Sequence, residues 1–463
     1  MPSRQDQLHS YQFTVQRAVA ALVMRETDPA QSPFRRLAGA GLASVLVAVI
    51  GLGGFALYGL FSGGGTDWRD SGAVIVEKES GARFVYREQQ LHPVLNYASA
   101  LLIIGAERPK TVLVSRRSIE GVPRGLPLGI ADAPDSLPAP GRLSTAPWTV
   151  CSDVPTEPGG AEPRSALLIG QDATGGRALG DQGVLLRHPD GTLHLLWHQR
   201  RHLLRDTDRV LAALAATRER AVPVASALLN TVPAGADLAP PPVRGLGERS
   251  VAVAGAAVGD VYLVRNSGGG RQYAVAERNG LAGITEFQAG LLLARTGQGE
   301  PEPMTLGRFA ALPKLPDLVP TGPTAPPTSP PRLAAVDGGA LCARVGDDTG
   351  VREVRVDVTP PALTAAARPV LPAGRGGVPV DQVVVEPGRG AVVESVAAPG
   401  ASGGAISVVT DLGRRYVLAD RAVLGMLGYS DVRPVRLPAG LVSLVPAGSP
   451  LDPVAARAVA APA

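Results

Sequence analysis

The stretch VIVEKESGARFVYRE, residues 74–88, reads as two short apolar strands joined by a turn at Gly81. Three further stretches follow the same plan: VLLRHPDGTLHLLWH at 184–198, VYLVRNSGGGRQYAVAE at 261–277 and ISVVTDLGRRYVLAD at 406–420. Taking the turn glycines Gly81, Gly191, Gly270 and Gly413 as origin, position +3 holds Phe84, His194, Tyr273 and Tyr416, and position +5 holds Tyr86, Leu196, Val275 and Leu418. That alternation suits a half-buried strand. Position +7 holds Glu88, His198, Glu277 and Asp420, expected to cap a following helix, Asp420 best of all. At +14 three copies carry an apolar residue, Leu95, Ile284 and Leu427. A register shared in this way predicts four related units of strand, turn, strand and apolar helix.

Units two and four also share a tail, VPAGADL at 232–238 and VPAGSPL at 445–451. Between units lie two long inserts, about 121–176 and 311–400, each carrying one of the two cysteines, Cys151 and Cys342. The second insert opens with a Pro-rich run from Pro313 to Pro331, which reads as an extended connector. The economical architecture joins the inserts into one central β domain with two units on either side. The expected regions are a leader 1–36, an apolar helix 37–61, unit one 67–120, insert 121–176, unit two 177–242, unit three 250–310, insert 311–400, unit four 401–452 and a disordered tail 453–463. The class is α+β and β-rich, in keeping with 56 Gly and 43 Pro, which favour turns and connectors over helical bundles.

Leu37 to Phe61 is free of charge for 25 residues. At about 1.5 Å per residue it reaches about 37 Å, enough for a membrane of ~30 Å hydrocarbon. Arg35 and Arg36 flank its start, and acidic residues offset the basic ones beyond its end, so the positive-inside rule puts the N-terminus in the cytoplasm. A cleaved signal peptide competes, but the apolar run is too long and no A-x-A site follows. About 400 residues then lie outside the cytoplasm, where Cys151 and Cys342 are expected to form one disulfide. In the leader, Leu8, Tyr11, Val15, Ala18 and Leu22 follow helical spacing. A stripe with no core of its own predicts a partner-docking helix, the alternative being a helix lying on the inner leaflet.

Net charge +4, well dispersed, excludes a nucleic-acid role. Gly105-Ala-Glu-Arg-Pro-Lys110-Thr111 resembles a phosphate loop, but Pro109 replaces the second glycine and TVLV after it reads as a strand, not a helix. Gly400-Ala-Ser402-Gly-Gly404 fits a nucleophile elbow but precedes a strand. Asp70-Ser-Gly72 and Asp348-Thr-Gly350 lack the apolar strands of paired catalytic aspartates. His194, His198 and His202 have the i, i+4, i+8 spacing of a metal face, yet the repeat register puts His194 in a strand. No catalytic, cofactor-binding or metal-binding residue and no cofactor are expected.

The leader RQDQLHSYQFTVQRAVAALV, the Arg-flanked anchor and GLPLGIADAPDSLPAPGRLSTAPWTVCSD resemble the B component, EccB, of the type VII (ESX) secretion membrane complex of actinobacteria. The parts that carry the likeness best are Gly129–Leu143, Trp148-Thr-Val-Cys151, and the leader around Arg4, Gln7, Tyr11, Phe13 and Arg17. The resemblance implies a non-enzymatic structural subunit, single-pass in the inner membrane. Its leader would contact an FtsK-like motor ATPase and a multi-spanning channel subunit. Its outer portion would be an elongated, quasi-two-fold periplasmic body with repeats like a phage endolysin's wall-binding subunit. That body would self-assemble and contact a membrane-anchored subtilisin-like protease. The alternatives are a peptidoglycan-binding envelope anchor and, since some family members carry the name, a membrane-anchored ATPase.

Overall fold

The computed structural model describes residues 3–24, 33–62, 68–70, 72–107, 109–153, 162–359, 367–369 and 380–460. It divides into Met1–Trp68 and Arg69–Ala463. The first part holds two helices, α1 (Arg4–Met24) and α2 (Pro33–Ser62). Ser3 starts α1: its backbone and hydroxyl donate to the Asp6 carboxylate, and the Asp6 N–H donates back to the Ser3 hydroxyl. These bonds satisfy donors that a helix start otherwise leaves open. Within α2, Ala38–Phe55 has a mean hydropathy of 2.0 and is wholly exposed; among the described residues no other helix is long and apolar enough to cross a membrane. Arg35 and Arg36 stand in the first turn of α2.

The second part is built from four copies of one unit. The first has strands β1 (Ala73–Glu77), β2 (Arg83–Arg87) and β3 (Gln90–Pro93), helix α3 (Tyr97–Ile104) and strand β4 (Lys110–Val114). Three strands of the centre follow: β5 (Trp148–Asp153), β6 (Ser165–Ile169) and β7 (Thr174–Ala178). The second unit has β8 (Val184–Arg187), β9 (Leu193–Trp197), β10 (Arg200–Leu203), α4 (Thr207–Ala213), β11 (Val222–Pro223) and α5 (Ser226–Thr231). The third has β12 (Val261–Arg265), β13 (Arg271–Glu277), β14 (Gly280–Ile284), α6 (Glu286–Thr296), β15 (Glu302–Met304) and α7 (Leu306–Ala311). The centre resumes with β16 (Ala340–Asp347), β17 (Gly350–Thr359), β18 (Ala367–Pro369) and β19 (Gln382–Val385). The fourth unit has β20 (Ala391–Val396), β21 (Ala405–Val409), β22 (Arg415–Val417), α8 (Val423–Met426), β23 (Val435–Pro438) and α9 (Ala439–Val442), and α10 (Pro453–Ala456) follows.

Each unit is one four-stranded sheet in the order third, second, first, fourth strand. The first three strands pair antiparallel and the fourth pairs parallel to the first, for example Ile75 opposite Val112. A parallel partner needs a crossover, and the helix after the third strand supplies it. The unit is therefore larger than the strand–turn–strand–helix expectation, by a third strand and a parallel fourth.

Two details of the repeat register need correction. The stretch 406–420 forms β21 and β22, the second and third strands of its sheet. The first strand, β20, begins at Ala391, inside the expected insert 311–400, and Gly400–Gly404 lies in the loop from β20 to β21. Position +7 does not cap helices in the first two units: Glu88 and His198 have φ of 49° and 46° in two-residue turns, the geometry tight hairpins require. Asn96 and Thr285 cap α3 and α6 instead, while Asp420 does accept from the Ala422 and Val423 N–H groups. Nor are the strands half-buried as the +3/+5 alternation suggested. Val85, Leu195 and Ala274, on the opposite face, are buried too.

The two inserts meet in a seven-stranded sheet, order β18-β19-β6-β5-β16-β17-β7. Cys342 sits opposite Cys151 on β16 and β5, joined by a disulfide. Trp148, Leu167, Leu341 and Val356 of this sheet share a core with Leu186 and Leu228 of the second unit and Val393 and Leu441 of the fourth. The units also pack in pairs. Val74 and Leu101 of the first join Val408 and Tyr429 of the fourth, and Leu185 and Val210 of the second join Phe287 and Leu291 of the third. The tail after 452 is ordered, contrary to expectation. Ala456 is buried in the first-and-fourth core, Val459 bridges to Leu128, and Ala460 donates to the Pro127 carbonyl; 461–463 lie outside the described residues.

Candidate functional site: tail clamps, the disulfide sheet and the leader

Every unit ends in an extended segment laid parallel along its third strand. The first residue after the bridge donates back to the strand: Gly125 to Leu91, Gly235 to Arg201, Leu315 to Leu281 and Gly448 to Arg415. Three residues on, Leu128, Leu238, Leu318 and Leu451 donate to Pro93, Leu203, Gly283 and Val417. Sequence comparison found this tail in units two and four only. Unit one nonetheless carries the same pattern as VPRGLPL at 122–128, with Arg124 in place of the alanine, and unit three keeps only its proline and final leucine in LPKLPDL at 312–318. The Pro-rich run from Pro313 is extended, and it begins as the docked tail of unit three. Further along it, the carbonyls of Thr324 and Thr328 accept from Ala236 and Phe287, tying units two and three together.

A ring lies on the tail glycine in three units. A Cβ on Gly125, Gly235 or Gly448 would fall 2.2–2.3 Å from His92, His202 or Tyr416. The His92 and His202 Nδ1 atoms lie 3.0 and 2.7 Å from the carbonyls of Leu126 and Ala236. Unit three reverses the pair, with Ala282 on the strand and Leu315 on the tail. His202, suspected of metal binding by spacing alone, is therefore a buried clamp. Burial holds its imidazole below the ordinary range, as it does for His194 on β9. Among the described residues no three His, Cys, Asp or Glu side chains group as metal ligands.

The phosphate-loop-like stretch runs the wrong way. Gly105 ends α3 in a left-handed conformation and Lys110 opens strand β4, so the segment leads from helix to strand. Asp348 pairs with Arg436 at 3.2 Å and accepts from Gly400, while Asp70 accepts from Gly72. Beside the disulfide is a cleft of about 300 Å³ lined by Thr149, Asp172, Arg344, Glu353 and Arg355. Its charges are matched: Arg344 meets Asp172 and Arg355 meets Glu353, each at 3.0 Å. In the leader, Leu8, Tyr11, Val15, Ala18 and Leu22 are all exposed on α1, Leu22 by 83% and Tyr11 by 70%.

With the geometry in place, three comparisons bear on the chain. The family described as the type VII secretion system ESX-1 transport TM domain B matches residues 1–461. The "ESX-3 secretion system ATPase EccB3" of Mycolicibacterium smegmatis is 30% identical over 96% of this chain and 88% of its own length. The "ESX-5 secretion system ATPase EccB5" of Mycobacterium tuberculosis is 28% identical over 97% and 92%. Among solved structures, a chain of an intact ESX-5 inner membrane complex superposes with a TM-score of 0.69 at 26% identity, covering all of this chain and 96% of that one. An EccB3 dimer from the ESX-3 core complex gives 0.66 at 25%, covering 83% and 100%.

Proposed function

This chain belongs to the EccB family of type VII (ESX) secretion systems, and we propose that it is a structural subunit whose part in export rests on assembly, not on nucleotide hydrolysis. The observation that carries this is the likeness, over its full length, to a chain of an intact ESX inner membrane complex. In this reading α2 crosses the inner membrane once, with Arg35 and Arg36 at its cytoplasmic end and residues from about 67 onward forming an elongated, quasi-two-fold periplasmic body. The paired packing of units one with four and two with three supports the two-fold element. The exposed stripe of α1 docks the cytoplasmic and channel subunits, including the motor ATPase. The outer body associates with further copies and with the membrane-anchored protease. Self-association is supported by the EccB3 dimer found for a relative.

The word ATPase belongs to the relatives' names. In this chain the stretch nearest to a phosphate loop enters a strand, so no helix N-terminus faces the place a phosphate would take.

The test is a mild-detergent pull-down of tagged chain, sized on a native gel and identified by mass spectrometry. Wild type should return in a megadalton-scale assembly with motor and channel subunits. Replacing Leu8, Tyr11 and Val15 together by Asp should release it. Recovery of the wild type alone, or only with peptidoglycan fragments, would replace this reading with the envelope-anchor alternative.

A further inference from the structure

We propose that strand β4 of the first unit is the edge through which two copies of this chain join, antiparallel, into one continuous sheet. Among the described residues the other sheet edges are blunted. Each third strand is covered by its own tail. The fourth strands of units two, three and four carry Pro223, Pro303 and Pro438. In the seven-stranded sheet one edge strand, β18, has Pro369, and the other, β7, has Gly175 and Gly176 at φ of 74° and 64°. A proline has no N–H to offer a newcomer, and left-handed glycines bend an edge away from pairing. Strand β4, Lys110-Thr-Val-Leu-Val114, is five residues long and has neither device.

The pairing of β4 with β1 fixes which of its backbone groups face outward. The Val114 carbonyl accepts from the Lys78 N–H beyond the end of β1, so Lys110, Val112 and Val114 turn their groups inward. Thr111 and Leu113 turn theirs outward, and among the described residues no group bonds to them there. Their side chains share one face of the sheet and both are exposed, Leu113 by 58%. An exposed leucine beside open backbone donors and acceptors is the combination that protected edges avoid.

A second copy fits this edge because the strand is self-complementary about Val112. In a two-fold antiparallel pair, Thr111 faces Leu113 of the second copy and Leu113 faces its Thr111, so the outward groups exchange four hydrogen bonds. Val112 meets Val112 of the second copy as a β-branched pair between those bonds. Lys110 falls opposite Val114 of the second copy, so no like charges stand directly opposed. Leu113 of the second copy lies beside Thr111, whose hydroxyl is 3.1 Å from that of Tyr97. Tyr97 lines a cleft of about 350 Å³ with Leu101, Pro109 and Leu427, which gives that leucine an apolar flank. The dimer found for a relative agrees with a two-fold contact. One strand pair is a small interface. The proposal therefore rests on the reading above that several copies share one membrane assembly, where a high local concentration makes a small contact sufficient.

The test uses full-length chain carrying Val112→Cys, recovered in mild detergent with the motor and channel subunits. Opposed Cα atoms in such a pair stand about 4.5 Å apart, within reach of a disulfide. Mild oxidation should give a covalent dimer at least about tenfold faster than in chain with Ser443→Cys, an exposed position elsewhere. Leu113→Pro in the same background removes an outward N–H from each copy, two of the four bonds, and spares the ladder to β1. It should slow dimer formation about 5- to 150-fold. Leu113→Lys, which keeps the N–H and adds a charge at the edge, should slow it as well. A Val112→Cys dimer that forms no faster than the Ser443→Cys dimer overturns the edge pairing and leaves the assembly reading standing, since the sample is the assembly itself. So does a Val112→Cys adduct to a different subunit, which would make β4 the seat of another protein's strand.

Discussion

Gly235→Ala tests whether the tail clamps hold the units together. The added Cβ would stand 2.3, 2.6 and 2.8 Å from three atoms of the His202 ring, all inside contact distance. The ring has no room to retreat: His202 is fully buried and its Nδ1 is hydrogen-bonded to Ala236 O at 2.7 Å. Forcing one extra carbon into such a site costs about 1–3 kcal/mol, and loss of the hydrogen bond adds about 1 kcal/mol. The strain falls on the segment whose amides bond Arg201 and Leu203, both at 2.8 Å. Hydrogen exchange at the Gly235 and Leu238 amides should therefore accelerate by roughly 30- to 700-fold, with a lower melting temperature. Unit three indicates a rescue, because there the bulk lies on the tail (Leu315) and the small residue on the strand (Ala282). Gly235→Leu combined with His202→Ala should recover much of the stability that Gly235→Leu alone removes. Wild-type exchange and melting in Gly235→Ala would refute the reasoning, since the ring would then be free to move.

Three further outcomes are expected. Burial lowers the imidazole pKa of His194 and His202 below 6.5, so the unfolded chain takes up protons that the folded chain refuses. Stability is full above that value and falls as pH drops through it; melts between about pH 7.5 and 5.5 should show the loss, reduced in His202→Asn. Reducing the Cys151–Cys342 bond, which closes a separation of 191 residues, should destabilise the second part by up to roughly 5 kcal/mol, read as a lower melting temperature with dithiothreitol. Lys110→Ala should leave phosphate release from ATP by the purified chain unchanged, because Lys110 starts a strand.

Local pattern carried much of this protein. The charge-free run from Leu37, the apolar strands about their glycine turns, and the spacing of Leu8 to Leu22 are properties of neighbouring residues, so they are legible without a fold. The fourth unit was read one strand late because β20 and β21 are joined by a long Gly-rich loop, while β21 and β22 have the compact glycine turn that marks the first hairpin elsewhere. The +7 residues are polar in a hairpin turn for the same reason they would be polar at a helix start, and composition does not separate the two.

What only the tertiary structure decided are relations between distant residues. The tail of unit three pairs by backbone hydrogen bonds and keeps only Pro313 and Leu318 of the shared pattern, because such bonds ask little of side-chain identity. By itself the sequence determined the long apolar helix, the repeat and the single disulfide, because each rests on short-range periodicity or on having two cysteines. The pairing of units and the clamp of ring on glycine were left to packing, because burial brings together surfaces that periodicity can only orient.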